Sequence, residues 1–192
     1  MIRLVLSTDT EVLALRTAVE ALPAGFPPVT ATTTWSEDPG GDLDEVRCVL
    51  VRLLGGRNAW PDGFDQLRAD CLRRDVPLLA FAGEAVPDAE LTALSTVPSG
   101  TVTEAFAYLV HGGPGNLEQL LRFVADTVLF EGWGFDPPVP VAEHGVWRRP
   151  DPDGDGPVIG VVFYRAHLVA GNTQFVDDLC DAITAGGGRP LA

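Results

Sequence analysis

Apolar residues at the start of the chain form first a short run and then a helical stripe. Residues 2–7 form a short, nearly continuous apolar run with four apolar residues among six, and apolar residues recur at every third or fourth position of 11–22. Asp9 or Thr10 is the predicted cap of the helix that this spacing indicates. The pattern therefore predicts a strand followed by a helix.

The same alternation continues as far as residue 82. It predicts strands at 29–35, 47–54 and 76–82, and a helix at 64–74. The last two strands are apolar on both sides, which is typical of strands that lie between two layers of helices. We therefore predict an α/β fold of the flavodoxin-like type, a three-layer sandwich around a mainly parallel sheet of four strands.

Three further helices are predicted after this sheet, at 88–94, 103–110 and 116–129. The last of them carries one continuous apolar stripe, which favours packing against the sheet or its helices. Asn116 is its predicted cap, and Gly115 is the predicted turn before it.

Residues 132–157 are crowded with Pro, Gly and Asp, a composition that does not sustain regular structure. A strand at 158–164 and a helix at 173–185 follow. One strand and one helix do not cover their own apolar faces. We therefore predict an α/β domain with trailing helices at 1–131, a linker or long surface crossing, and the truncated start of a second α/β domain at 158–192.

Charge and composition exclude several classes of function. The formal net charge is −14 and the chain has no Lys, so no basic surface exists to neutralise nucleic-acid phosphates. No apolar run approaches the length of a membrane helix or a signal peptide core, and we expect a cytoplasmic protein without membrane contact. Three cysteines without CxxC spacing fit neither a disulfide framework nor a zinc site, and we expect small buried hydrophobic residues instead.

The first candidate site follows the predicted strand at 158–164. Arg165 and His167 come directly after that strand, and Asn172 and Thr173 start the next helix. Ligands of open α/β sheets collect at the carboxyl ends of strands, and a helix N-terminus favours an anion. The alternative is that Asn172 and Thr173 only cap the helix while His167 forms a hydrogen bond within a loop. A metal-ligand role for His167 has no second His or Cys nearby to support it.

The second candidate site follows the predicted strand at 47–54. Arg52, two glycines at 55–56 and Trp60 lie at the carboxyl end of that strand. An Arg beside an aromatic ring is suited to a flat, carboxylated ring system. The alternative is a tight turn with Trp60 packed on the end of the domain.

No catalytic residue is predicted. The Gly-rich segment 111–116 lacks the Lys of a phosphate-binding loop and joins two predicted helices. No Ser, His and Asp lie in the spacing of a nucleophile elbow. Nucleotide binding and hydrolysis are therefore not supported.

Three stretches resemble the large subunit of aerobic cobaltochelatase, the CobN type, which is related to the large subunit of magnesium chelatase. The first, at 51–56, reads VRLLGG and is followed by Trp60 and Gly63. The second, at 107–113, reads AYLVHGG and is followed by Asn116. The third and most specific, at 163–180, reads FYRAHLVAGNTQFVDDLC.

The resemblance implies an N-terminal fragment of a very long polypeptide that binds a corrin and cobalt. That enzyme inserts Co²⁺ into hydrogenobyrinic acid a,c-diamide on the way to vitamin B12, and works with an AAA+ ATPase subunit and a second small subunit. We expect the fragment to bind no cofactor and to lack chelatase activity by itself, with ATP bound by the partner subunit. The resemblance also makes corrin carboxylates the expected ligands of the two candidate sites.

Two other interpretations stay open. One is a stand-alone flavodoxin-like domain that binds a tetrapyrrole without a chelatase partner. The other is a receiver-like module, although a receiver needs an Asp after its third strand and a later Lys, whereas this chain has Arg52 there and no Lys. Because the magnesium branch shares the architecture, the assignment to cobalt depends on the first and third stretches.

Overall fold

The structure is a computed structural model that describes residues 1–192. It divides into two compact units, which we call unit 1 (Met1–Val139) and unit 2 (Pro140–Ala192). None of its helices combines the length and the apolarity needed to cross a bilayer.

Unit 1 contains one sheet of four parallel strands, as predicted. The strand order is β2-β1-β3-β4, so the first strand lies in the interior of the sheet. A 3-10 turn at Arg57–Ala59 follows the third strand. The strands and helices are, in chain order, β1 (Ile2–Leu6), α1 (Asp9–Glu20), β2 (Val29–Thr33), β3 (Cys48–Leu53), α2 (Pro61–Arg74), β4 (Leu78–Ala82), α3 (Ala89–Leu94), α4 (Ser99–His111) and α5 (Pro114–Thr127).

Helices cover both faces of this sheet. On one face, Val49 and Val51 of β3 form an apolar cluster with Phe64 of α2. Side chains alternate along a strand, and Phe81 of β4 accordingly lies on the opposite face, where its ring stacks on Phe106 of α4. The helices α1, α4 and α5 pack together on that second face. The predicted three layers result because the inner strands are apolar on both sides.

Two predicted helix caps in unit 1 are wrong. The helix α1 is capped by Thr8 rather than Asp9 or Thr10, because the Thr8 hydroxyl accepts from the Glu11 amide and donates to the Glu11 carboxylate. The helix α5 begins at Pro114, whose fixed φ suits a first turn, and Gly113 is its cap. Asn116 is instead buried in the first turn of that helix.

The segment after α5 has no helix or strand until residue 158, but hydrogen bonds fix residues 133–139 within unit 1. Asn116 donates to the Val139 carbonyl (2.9 Å) and accepts from the Val139 amide (2.8 Å). The Tyr108 hydroxyl donates to the Asp136 carbonyl (2.8 Å), and the Asp126 carboxylate accepts from the Trp133 amide (2.6 Å). These bonds tie residues 133–139 to α4 and α5.

Unit 2 contains two parallel strands and two helices: β5 (Val158–Gly160), α6 (Arg165–Val169), α7 (Gln174–Ala185) and β6 (Arg189–Leu191). The predicted strand 158–164 is too long. Its only partner, β6, has three residues, so the pairing ends at Gly160. Residues 165–169 then form the helix α6. Asn172 was a predicted cap of α7, but the cap position is occupied by Thr173, whose side chain forms no capping hydrogen bond.

Candidate functional site

Arg52 lies near the carboxyl end of β3, where its guanidinium is bonded within unit 1. Its Nη1 is 2.6 Å from a carboxylate oxygen of Glu11, and the two side chains are 15% and 22% exposed. Its Nε donates to the Ala82 carbonyl (3.2 Å) and its Nη2 to the Gly83 carbonyl (2.8 Å). All three guanidinium nitrogens thus join α1, β3 and the end of β4.

The position beside Arg52 is the place where the strand order reverses, between β1 and β3. Ligands of open α/β sheets enter at such a reversal. Here the Ser7 hydroxyl at the end of β1 donates to the Arg52 carbonyl (2.9 Å) and accepts from the Leu54 amide (2.8 Å). Protein groups therefore bridge the strand ends, and this arrangement fits the alternative in which the segment after β3 is a tight turn with a structural role.

Trp60 lies on the opposite side of the sheet from Arg52. Its ring is partly buried against the apolar cluster around Phe64, and a Cβ atom at Gly63 would overlap it. Val51 and Leu53 belong to the same cluster, so Arg52 between them points to the other face. The structure therefore does not bring Arg52 and Trp60 together as a pair.

Arg165 is the first residue of α6 and lines a cleft in unit 2. Its Nε donates to the Ala142 carbonyl (2.9 Å) and its Nη2 to the Val141 carbonyl (3.3 Å). The cleft has a volume of about 500 Å³ and lies at the carboxyl ends of β5 and β6. Its walls are mainly apolar and include Trp147 and Phe163, with His144 and Glu143 as further polar residues.

His167, Asn172 and Thr173 follow Arg165 but do not line this cleft. The His167 ring meets Phe175 edge-on, with 5.0 Å between ring centres, and its Nδ1 is buried without a hydrogen-bond partner. The Asn172 amide donates to the His167 carbonyl (2.9 Å), and the Thr173 carbonyl accepts from the first turn of α7. No three His, Cys, Asp or Glu residues lie close enough together to hold a metal ion.

Two features of these sites were missed by sequence reasoning. The first is Glu11 as the partner of Arg52; the spacing of Thr8 and Glu11 signals a capping box and could have located this carboxylate at the strand ends. The second is the pair of carbonyls at 141 and 142 that hold Arg165. Backbone carbonyls carry no residue-type signal, so nothing in the sequence indicated them.

The cysteines are all free and buried, as predicted. Burial raises the pKa of the Cys71 thiol to about 11, with a smaller effect from Asp70. Burial also raises the pKa of Cys48. Because the thiolate is the reactive form, neither thiol is poised as a nucleophile.

The parallel order with the first strand inside the sheet places this chain among α/β proteins of the flavodoxin-like type. A family model described as CobN/Magnesium Chelatase matches residues 106–192. We conclude that the chain belongs to the CobN/magnesium chelatase family.

Individual relatives agree with this assignment. The aerobic cobaltochelatase subunit CobN of Pseudomonas aeruginosa is 28% identical over 204 residues, covering 96% of this chain and 16% of that protein. The subunit of the same name from a Sinorhizobium species is 27% identical, covering 76% of this chain and 13% of that protein.

Among solved structures, the catalytic subunit of cobaltochelatase from Mycobacterium tuberculosis superposes with a TM-score of 0.71 at 41% identity. The superposition covers 99% of this chain and 16% of that one. The chain thus spans about one eighth to one sixth of the length of these relatives.

Proposed function

We propose that this chain is part of the large, corrin- and cobalt-binding subunit of an ATP-dependent cobaltochelatase. The enzyme would insert Co²⁺ into hydrogenobyrinic acid a,c-diamide in cobalamin biosynthesis. The observation that carries this proposal is the similarity to the M. tuberculosis catalytic subunit over 99% of the chain at 41% identity. The relatives named cobaltochelatase subunits favour cobalt over magnesium as the metal.

We assign ATP to a partner AAA+ subunit, which works with a second small subunit. In support, the Gly-rich segment between α4 and α5 joins two helices and carries no Lys, whereas a phosphate-binding loop joins a strand to a helix. Cobalt is a substrate here, and we place its insertion in parts of the large subunit that this chain does not span. Three free cysteines are typical of a reducing compartment, which supports a cytoplasmic enzyme.

Of the six candidate substrate contacts, we retain Arg165 as the one to test first. It alone of the six lines the cleft in unit 2. A carboxylate of the corrin would meet a guanidinium at the edge of a mainly apolar wall, a combination suited to an amphipathic ring system. Arg165 is also bonded within unit 2, through the carbonyls of residues 141 and 142, so its place in the lining of the cleft is what distinguishes it from the other five.

The test uses a chimera in which this chain replaces the corresponding residues of the M. tuberculosis catalytic subunit. We expect Arg165→Ala to weaken binding of hydrogenobyrinic acid a,c-diamide by about tenfold, the loss of one charge-assisted hydrogen bond. A fluorescence titration measures the affinity. The matched control is Arg148→Ala, which removes the same charge from unit 2 but breaks only an exposed pair with Asp181.

Unchanged affinity in the Arg165→Ala chimera would leave Arg165 with a structural role only. The 192 residues alone, given both partner subunits, ATP, Co²⁺ and the corrin, should bind the corrin weakly at most and insert no cobalt. Robust insertion by the chain alone would contradict the proposal that insertion takes place elsewhere in a larger subunit.

A further inference from the structure

The strand β5 is exposed along its whole length, unlike every inner strand of unit 1. All three of its residues are exposed, whereas four of the five residues of β1 are buried. A parallel sheet is normally covered on both faces, and two strands alone are marginally stable in water. The strand β5 therefore lacks the neighbouring polypeptide that buries β1.

Comparison of the two units shows what is missing. In unit 1, β1 leads through a helix to β2, and the two strands pair in parallel. In unit 2, β5 leads through helices to β6, and these strands also pair in parallel. The other edge of β1 pairs with β3, but the other edge of β5 has no strand beside it.

Backbone geometry identifies the open hydrogen-bonding groups. The Val161 amide donates to the Leu191 carbonyl, and the Arg189 amide donates to the Pro157 carbonyl, each at 2.8 Å. Successive peptide groups of a strand point to opposite edges, so residues 157, 159 and 161 face β6. The amides and carbonyls of Val158 and Gly160 therefore point to the open edge.

The outer edge of β6 is a poorer place for another strand. Pro190 is the middle residue of that strand and has no amide to donate. Its neighbour Ala192 already exchanges backbone hydrogen bonds with Arg148 and accepts one from Trp147. The open edge of β5 has neither obstacle.

An apolar surface accompanies the open edge. Ile159 points toward Ile183 of α7, since a Cβ atom at Gly188 would touch both side chains. Val158 lies on the opposite face of β5 because side chains alternate. Beyond the strand, Val162 and Tyr164 are 99% and 81% exposed. Exposed apolar side chains thus continue along the chain directly after the open strand.

We propose that the open edge of β5 receives a parallel strand from the part of the cobaltochelatase large subunit that this chain does not span, in the position that β3 has beside β1. This inference rests on the proposed function. The relatives supply the occupant, because residues similar to this chain make up only 16% of their length. The added strand would accept from the Val158 and Gly160 amides while its flanking polypeptide covers Val162 and Tyr164.

Hydrogen–deuterium exchange at single-residue resolution tests this pairing in the 192-residue chain and in the chimera. We expect the Val158 and Gly160 amides to exchange about 100-fold more slowly in the chimera, because a ladder hydrogen bond opens only with its strand. The Val161 amide is an internal control, since it is bonded to β6 in both proteins. Equal exchange of Val158 and Gly160 in the two proteins would overturn the inference.

A substitution separates burial of this surface from general stabilisation. Val162→Asp should leave the stability of the 192-residue chain unchanged but abolish the added protection in the chimera, because a buried unpaired charge is costly. The matched control, Val86→Asp, changes a residue of unit 1 that is 70% exposed and should have no effect in either protein.

Other outcomes have distinct meanings. Protection of Val158 and Gly160 that rises with the concentration of the 192-residue chain would assign the edge to a second copy and overturn the inference. A chimera that inserts cobalt without protecting these amides would overturn it as well, while the proposed function would stand. Protection in a chimera that inserts no cobalt would support the pairing and contradict the proposed function.

Discussion

Replacing Arg52 by Ala is expected to lower the free energy of unfolding of unit 1 by about 3 kcal/mol, the cost of breaking a largely buried ion pair. The substitution leaves the Glu11 carboxylate without its cation. It also removes the donors to the Ala82 and Gly83 carbonyls at the end of β4. Arg52→Lys should recover only part of the loss, because an ammonium group does not reproduce the planar arrangement of donors.

Urea unfolding of the 192-residue chain, followed by tryptophan fluorescence, measures this effect. Arg73→Ala is the matched control, because Arg73 is 64% exposed and pairs with Asp70 on the surface of α2. Such a pair contributes about 0.5 kcal/mol or less. An Arg52→Ala chain as stable as the unsubstituted one, but with weaker corrin binding in the chimera, would make Arg52 a ligand contact instead.

The architecture of unit 1 could be predicted because its signals are local. A strand between two helical layers must be apolar on both sides, and β3 and β4 have that pattern over most of their length. The ends of β5 could not be predicted in this way. Its apolar run extends to residue 164, but a strand is only as long as its partner, and β6 pairs with three residues.

For Arg52, the place in the fold could be predicted from the sequence, but the contacts of its side chain could not. The place of Arg52 at a strand end follows from the apolar run before it, whereas its partner Glu11 lies 41 residues earlier on another element. Asn116 shows the same limit. Its side chain suits a helix cap, but its position in the first turn of α5 lets it bind the backbone of Val139, a contact that depends on tertiary structure.

The segment after α5 shows what composition leaves out. Its Pro and Gly content predicts the lack of regular structure correctly. Composition does not reveal that residues 133–139 bind α4 and α5. The side chains that bind them belong to Tyr108, Gln119 and Asp126, and nothing in the sequence distinguishes these from other polar residues of a helix. Tertiary hydrogen bonds thus decide how far unit 1 extends.

The two units differ in how completely they bury their apolar groups. Unit 1 has a sheet covered on both faces, and its inner strands are almost wholly buried. Unit 2 buries few apolar side chains, among them Ala170, Val176 and Cys180, and leaves β5 exposed. The strand that we propose beside the open edge of β5 would cover part of this exposed surface.

Cobalt insertion by the chimera tests whether this chain does the work of the corresponding part of a cobaltochelatase large subunit. With 41% identity over 99% of the chain, we expect the chain to fold in place and to present equivalent surfaces to the rest of the subunit. Insertion is measured as the spectral change of hydrogenobyrinic acid a,c-diamide in the presence of Co²⁺, ATP and both partner subunits. The control is the same subunit with residues corresponding to this chain deleted.

We expect the chimera to insert cobalt at a rate within about tenfold of the unmodified M. tuberculosis subunit, a difference of no more than about 1.4 kcal/mol in activation free energy. The deletion control should be inactive. A chimera that folds, as judged by its thermal unfolding and circular dichroism, but inserts no cobalt would contradict the claim.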